Sequence, residues 1–385
     1  MNKVLVICPQ SPYPLHNGSA IRSFQSVRFL KSLGYHVDVL YLSTKSDLGD
    51  VNKGISAYCD NVYLFKRSFL LSLLRLFLCV FSHKPFQVSL FYSNKARQWI
   101  RRNIHEYTMV YCNNIRTAEY AKDAPCTKII DFVDAISMNY EKSGLLLHGI
   151  LRQLYMIESR RCLEYEKALL SIFDKKIIIS DIDKNYILGD KNDVISVVPN
   201  AIAIGDKFID WNTEEDNMVF VGSMYYEPNV QAVEYFTKKV LPIIWKNHPS
   251  AKFYIVGKKP DKRVAQLESD NVIVTGFVDS VWDYLKKASV VVVPMISGSG
   301  LQNKILEALA VKACVITTPI GFEGLEYGEG APTVSKNATE MAKKISWLLE
   351  NKTIRRELGE KGFEYVKRHY SEDVVLKKFK ASITM

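Results

Sequence analysis

In the stretch ISGSGLQNKILEALA, residues 296–310, Gly298 and Gly300 flank Ser299, and an apolar-periodic helix is predicted from about Leu301. Lys304 falls in its first turn and Glu307 lies three residues on, along the same face. A lysine is misplaced there, because a helix N-terminus already carries unpaired N–H groups and a partial positive charge. An anion seated on those N–H groups reverses the local sign and gives Lys304 a partner. A diphosphate is such an anion, and a carboxylate at Glu307 can accept both hydroxyls of an attached ribose. The competing account is an i,i+3 Lys–Glu pair worth a few tenths of a kcal/mol. The segment alone does not decide between them.

Other polar groups fall at predicted strand ends. Arg116 follows MVYCN, and its charge is suited to a leaving diphosphate or an acceptor hydroxyl; Arg22, one turn into the first helix, is a weaker candidate of that kind. Asp131 and Asp134, in DFVD, face an acceptor or cap the next helix. Asp181 and Asp183, in DID, follow IIIS and open a helix, so an N-cap at Ser180 or Asp181 accounts for them better than a metal. The seven histidines show no metal spacing, and only His16, beside Gly18, merits a test. No Ser-His-Asp or Cys-His spacing supports a nucleophile.

The elements that must position these groups alternate, β-branched runs with amphipathic stretches, as in parallel sheets covered by helices. Strands are expected at KVLVIC, HVDVLYL, NVYLF, MVYCN, KIIDFV, KKIIIS and VISVVPN, then at NMVFVGS, AKFYIVG, NVIVTG, VVVVPM, ACVITTP and APTVS. The acidic, poorly periodic AIAIGDKFIDWNTEED reads as a linker between two Rossmann-like domains facing each other across a cleft. The expected division is 1–203, 204–368, and a last helix, 369–385, crossing back to the first domain. Five of the six later strands end in Gly or Pro within two residues, which puts special loops at the carboxyl edge, where open α/β sheets bind ligands. CPQSPYPLHNGSA after the first strand is not G-x-G-x-x-G, which excludes the usual dinucleotide turn, and there is no G-x-x-x-x-G-K-[ST] loop.

Composition narrows the classes further. The chain has 385 residues, 48% hydrophobic and 24% charged, an ordinary folded protein. Seven cysteines without a C-x-x-C pair argue against a disulfide framework or structural zinc and for a reducing compartment, and the N-terminus lacks signal-peptide character. Of the net charge of +10, residues 1–100 carry +8. The same hundred residues contain the apolar run Phe69–Phe81, flanked by Lys66, Arg67 and Lys84 and too short to cross a bilayer. Basic plus apolar fits anionic lipid headgroups; a buried helix with solvated ends is the equal alternative. No nucleic-acid motif accompanies the charge.

GSGLQNKILEALA, followed by ACVITTPIGFEGL, resembles the donor-binding core of glycosyltransferase family 4, of GT-B fold, in a branch of bacterial envelope-polysaccharide transferases. PYPLHNGSAIRSFQSVRFLKSLGYHVDVL and FVGSMYYEPNVQAVEYF extend the resemblance over nearly the whole chain. It implies that Glu307 holds the ribose of a nucleotide diphosphate sugar. Lys304 and the amides of Gly298, Ser299, Gly300, Leu301 and Gln302 then bind the diphosphate. Gly222 and Ser223 approach the phosphates from the facing strand end. The base lies near Gly257 and the Thr275–Val278 turn with Phe277 and Val278, and Gly18 closes over the donor from the first domain. With Lys304, Arg116 and Asp131 are the catalytic candidates. The wider family has glutamate, arginine and lysine where this chain has Ser299, Ser223 and Pro228, which concentrates diphosphate binding on Lys304 and leaves sugar choice open. The implied activity is retaining, metal-independent transfer to a glycan acceptor, lipid-linked in this reading, at the cytoplasmic face of the membrane, in capsule or lipopolysaccharide synthesis. A nucleotide-sugar epimerase and a binding protein that has lost catalysis are the rival classes.

Overall fold

The described residues of the computed structural model are 2–15, 18–44, 54–67, 79, 84–189, 194–206, 208–209, 216–258, 260–298 and 300–384. Ser299, His16 and the Phe69–Phe81 run apart from Cys79 lie outside them. The chain divides into two units, Met1–Asn200 with Leu376–Met385, and Ala201–Val375.

Among the described residues the first unit has seven strands: β1 (Lys3–Cys8), β2 (His36–Ser43), β3 (Asn61–Lys66), β4 (Met109–Asn113), β5 (Thr127–Asp131), β6 (Lys175–Ile178) and β7 (Ser196–Val197). They form one parallel sheet in the order β3-β2-β1-β4-β5-β6-β7. Strands buried on both faces read as continuous apolar runs, which is why Val4–Cys8 and Val39–Leu42 show no alternation. The second unit has β8 (Asn217–Val221), β9 (Lys252–Val256), β10 (Val272–Gly276), β11 (Val290–Val293), β12 (Val315–Thr317) and β13 (Thr333–Val334). Its sheet, also parallel, runs β10-β9-β8-β11-β12-β13. Each sheet reverses direction once, between β1 and β4 and between β8 and β11. Crevices at carboxyl ends open at such reversal points.

The thirteen strands stand where the sequence places them; eight end sooner than expected, and β2 and β3 run one residue longer. The stretch expected to be a linker behaves differently. The Ile202 N–H bonds to the Tyr370 carbonyl at 2.8 Å, and that of Ile209 to the Val311 carbonyl at 2.9 Å. Ile209 is buried in the second unit's core, with Ile202 and Ile204 packed against it. Three isoleucines give this segment enough apolar surface to adhere, which its acidic end conceals in a composition count. The helix Glu372–Thr384 begins in the second unit, and from Leu376 its residues belong to the first. There Phe379 packs on Phe29 and Tyr111, with ring centroids 5.5 and 6.0 Å apart. None of the described cysteines forms a disulfide.

Candidate functional site

The second unit's carboxyl edge gathers most of the candidates in strand order. After β11, Gly298 (φ +98°) and Gly300 (φ +72°) adopt left-handed backbone that favours glycine. The chain then passes through Gln302 (φ −85°, ψ 93°) into the helix Asn303–Ala310. The helix starts two residues later than predicted from Leu301, and Lys304 is still in its first turn. Gln302 places no side-chain hydrogen bond on the helix, and no acidic residue stands in the first turn. Ile305, Leu306, Ala308 and Leu309 bury the opposite face, and Leu309 lies where a Cβ on Gly362 would fall, at 2.6 Å. The helix that presents Lys304 is therefore held rigidly.

Lys304 does not pair with Glu307. Its Nζ donates to Asn229 Oδ1 at 2.6 Å and to Gln302 Oε1 at 3.4 Å, with Met295 Sδ at 3.7 Å and the Phe220 ring centroid at 5.0 Å. These partners are neutral. Burial pushes the Lys304 pKa down to about 8, opposed by the Glu307 charge at longer range. A cation held this way is poised to accept an anion. Glu307, by contrast, is exposed on the helix flank.

Asn229 is the residue that sequence reasoning missed. It is buried in the helix Glu227–Tyr235 that follows β8, so its bond to Lys304 spans the reversal point between β8 and β11. Its Nδ2 donates to the Ser223 carbonyl at 3.1 Å, and its side chain occupies the place of a Cβ on Gly222, at 2.7 Å. Gly222 thus makes room for the amide that clamps Lys304. Pro228 lies 3.3 Å from where a Gly298 Cβ would sit, and Ser297 Oγ donates to Gln231 at 2.7 Å. The only sequence signal was the cluster EPNVQ just past a strand-end glycine.

Gly257 ends β9 with its missing Cβ directed at the Gly222 carbonyl, 1.7 Å away, so backbone packing between strand ends explains this glycine. Beyond β10, Phe277 is 72% exposed, an aromatic surface at the edge where base binding is expected, while Val278 packs on the core. At the other side Thr318 caps its short helix through the Gly321 N–H. Gly324 (φ +83°) has Leu301 N 3.0 Å from its absent Cβ. The TPIGFEG segment is therefore a brace behind the glycine loop. Gly324→Ala should cost about 1–2 kcal/mol from the left-handed backbone alone. Urea unfolding of the second unit would measure it.

In the first unit Gly18 opens the helix Gly18–Ser32 after β1, and Arg116 stands after β4. The two positions flank that sheet's reversal point. The Arg116 Nε donates to Gln87 Oε1, and its guanidinium lies 4.9 Å from the Phe91 ring centroid; burial lowers its pKa, opposed first by Asp134. Asp134 accepts from Asn139 at 2.6 Å, and burial, with Asp183 adding, pushes its carboxyl up to about 6. Two non-glycine residues here have left-handed backbone, Asn114 (φ 73°) and the β-branched Val133 (φ 67°), strain of the kind that gathers at functional edges.

The structure turns Asp131 inward. It is fully buried, paired with Arg22 Nε at 2.7 Å, and it accepts from Tyr111 OH at 2.6 Å and Val133 N at 3.0 Å. A carboxylate so enclosed is scaffold, and so is Arg22, whose other bond goes to the Pro199 carbonyl at 3.0 Å. In DID, Ser180 caps its helix through the Asp183 N–H, Asp183 accepts from Ala135 N at 2.9 Å, and Asp181 pairs with Lys184 at 3.0 Å.

Residues 215–351, the span holding Asn229, Lys304 and Glu307, match the family described as Glycosyl transferases group 1. The second unit therefore carries a group 1 glycosyltransferase domain. A Klebsiella pneumoniae relative, an uncharacterized 44.6 kDa protein in the cps region, is 23% identical over 97% of this chain and 98% of its own. Three solved structures share the GT-B fold of this glycosyltransferase. TarM has a TM-score of 0.75 at 12% identity, covering 100% of this chain and 99% of TarM. Anabaena HepE, crystallised with UDP and glucose, has 0.70 at 12% identity over 100% of both chains. WaaG, a glycosyltransferase involved in lipopolysaccharide biosynthesis, has 0.65 at 14% identity over 99% of each.

Proposed function

We propose that this glycosyltransferase takes a nucleotide diphosphate sugar, of the UDP class, as donor and extends a lipid-linked glycan in capsule or other surface polysaccharide synthesis. The observation that carries the donor reading is the Lys304 ammonium, held by neutral partners at an uncapped helix N-terminus. As the glycosidic bond to the donor phosphate breaks, negative charge grows on the departing diphosphate. Lys304 and the positive end of the helix meet that charge, in place of a divalent metal. Glu307 receives the ribose hydroxyls, and the exposed ring of Phe277 offers a face to the base. In the first unit Arg116, two residues past Asn114, orients the acceptor. The UDP class is favoured because HepE and Staphylococcus aureus TarM were both crystallised with UDP, and the cps-region relative points to capsule.

The test is a thermal-shift panel with UDP, GDP, ADP, CMP and dTDP on wild type and Glu307→Ala. A nucleotide at 100 times its dissociation constant stabilises its unit by about 2.7 kcal/mol. UDP is expected to shift the wild type and to lose most of that effect in Glu307→Ala. If no nucleotide shifts the wild type, the donor reading falls.

A further inference from the structure

We infer that the helical hairpin formed by Ile136–Leu145 and Gly149–Ile172 docks this protein on an anionic lipid surface. The inference stands on residues remote from Lys304 and Glu307 and does not depend on the donor reading.

The helix Gly149–Ile172 has 24 residues, about 36 Å, whereas β5 and β6, which it connects, have five and four, at most about 17 Å. It runs antiparallel to them and ends where β6 begins. Its buried residues start at Glu158, so the amino half, 149–157, projects past the carboxyl edge of the sheet. The projection is braced by its partner helix. Gly144 lets Tyr155 approach, its absent Cβ lying 3.0 Å from that of Tyr155, and the Tyr140 and Tyr155 rings meet edge-on at 5.5 Å.

The tip is apolar where water should favour polar residues. Leu145, Leu146, Ile150, Leu151, Leu154 and Ile157 are exposed, from 46% at Leu154 and Ile157 to 76% at Ile150. Ile150, Leu154 and Ile157 form one stripe by helical spacing, which is a partner surface rather than scattered exposure. Cations predominate at the tip: between 142 and 161 they are Lys142, Arg152, Arg160 and Arg161, with Glu158 buried against the Phe86 N–H, while Glu141 accepts from Tyr186 OH at 2.7 Å and Glu164 lies farther along the long helix. Arg160 is exposed on the flank of the stripe, and Arg152 is exposed near the tip on the helix's other face. An apolar wedge with a cationic rim matches acyl chains beneath anionic headgroups. A second copy of this chain fits worse, because it would bring two cationic rims together.

The experiment is co-sedimentation of the full chain with vesicles of phosphatidylcholine, alone or mixed with phosphatidylglycerol. Wild type is expected to bind the mixed vesicles and far less the neutral ones. Arg152→Gln with Arg160→Gln should weaken binding about five-fold per arginine and reduce its salt dependence. Ile150→Asp with Leu154→Asp should weaken it at least about ten-fold. All four positions are exposed, and an unchanged melting curve and UDP response would show that each variant folds. Binding undiminished in both variants would overturn the inference and move lipid contact elsewhere. Absence of vesicle binding, with a wild-type dimer that Ile150→Asp turns into monomer, would assign the tip to a second copy instead.

Discussion

Lys304→Met is expected to lower the transfer rate by about 10²–10³-fold, the range for removing one preorganised group that meets developing negative charge. The pH dependence separates this role from a structural one. With its pKa at about 8 in the free protein, Lys304 is charged below pH 8 and neutral above it. A nucleoside diphosphate binds the charged form, so its affinity should be flat below pH 8 and fall about ten-fold per unit above it, with one proton taken up per nucleotide bound. Stability of the free protein moves the other way. Between about 8 and the unfolded value of 10.5 the unfolded chain holds a proton that the folded chain has released. Unfolding then takes up a proton, and this group's contribution to stability rises with pH across that window. Calorimetric titration with UDP across the pH range, beside urea unfolding without it, reads both slopes. Lys304→Met should flatten both. A variant that transfers sugar within threefold of wild type, or a wild-type affinity that ignores pH 8, would remove Lys304 from the chemistry.

The strands were readable because parallel strands buried on both faces are unbroken apolar runs, such as Val290–Val293. The glycine loop was readable because Gly298 and Gly300 take backbone that other residues resist. What failed to show in sequence depends on three-dimensional neighbours. Asn229 meets Lys304 across 75 positions, and only its place just past a strand-end glycine sets it apart from a surface asparagine in a helix. Lys304 and Glu307 share a helix face at the spacing of a salt bridge, yet the lysine reaches across the sheet's reversal point, where a buried amide competes better than an exposed carboxylate. The helix Gly149–Ile172 was not anticipated, because its exposed amino half is as apolar as its buried carboxyl half and the periodicity blurs. Asp131 misled for a related reason. An acid at the carboxyl end of a parallel strand suits catalysis, and whether a cation from another helix has already claimed it is invisible in sequence.

That claim makes the second large prediction. Asp131→Ala is expected to destabilise the first unit by about 3–5 kcal/mol, the usual result of leaving one partner of a buried ion pair without the other. Arg22 is 1% exposed and Asp131 0%, so water cannot replace the lost carboxylate. Tyr111 loses the acceptor of its hydroxyl as well, and Val133 the oxygen that holds its N–H in a left-handed conformation. The damage should spread along β4 and β5 and through the Tyr111–Phe379 contact to the part of the last helix from Leu376 on, which belongs to the same unit. The second unit holds Lys304, Asn229 and Glu307 on separate contacts, so stabilisation by UDP should survive. Hydrogen exchange at the β4 and β5 amides, read beside the UDP thermal shift of the same variant, measures both halves. Arg22→Met with Asp131→Leu should recover much of the loss, because an apolar pair of similar volume leaves no buried charge uncompensated. A catalytic Asp131 predicts the opposite pattern, with protection unchanged in Asp131→Ala and transfer abolished.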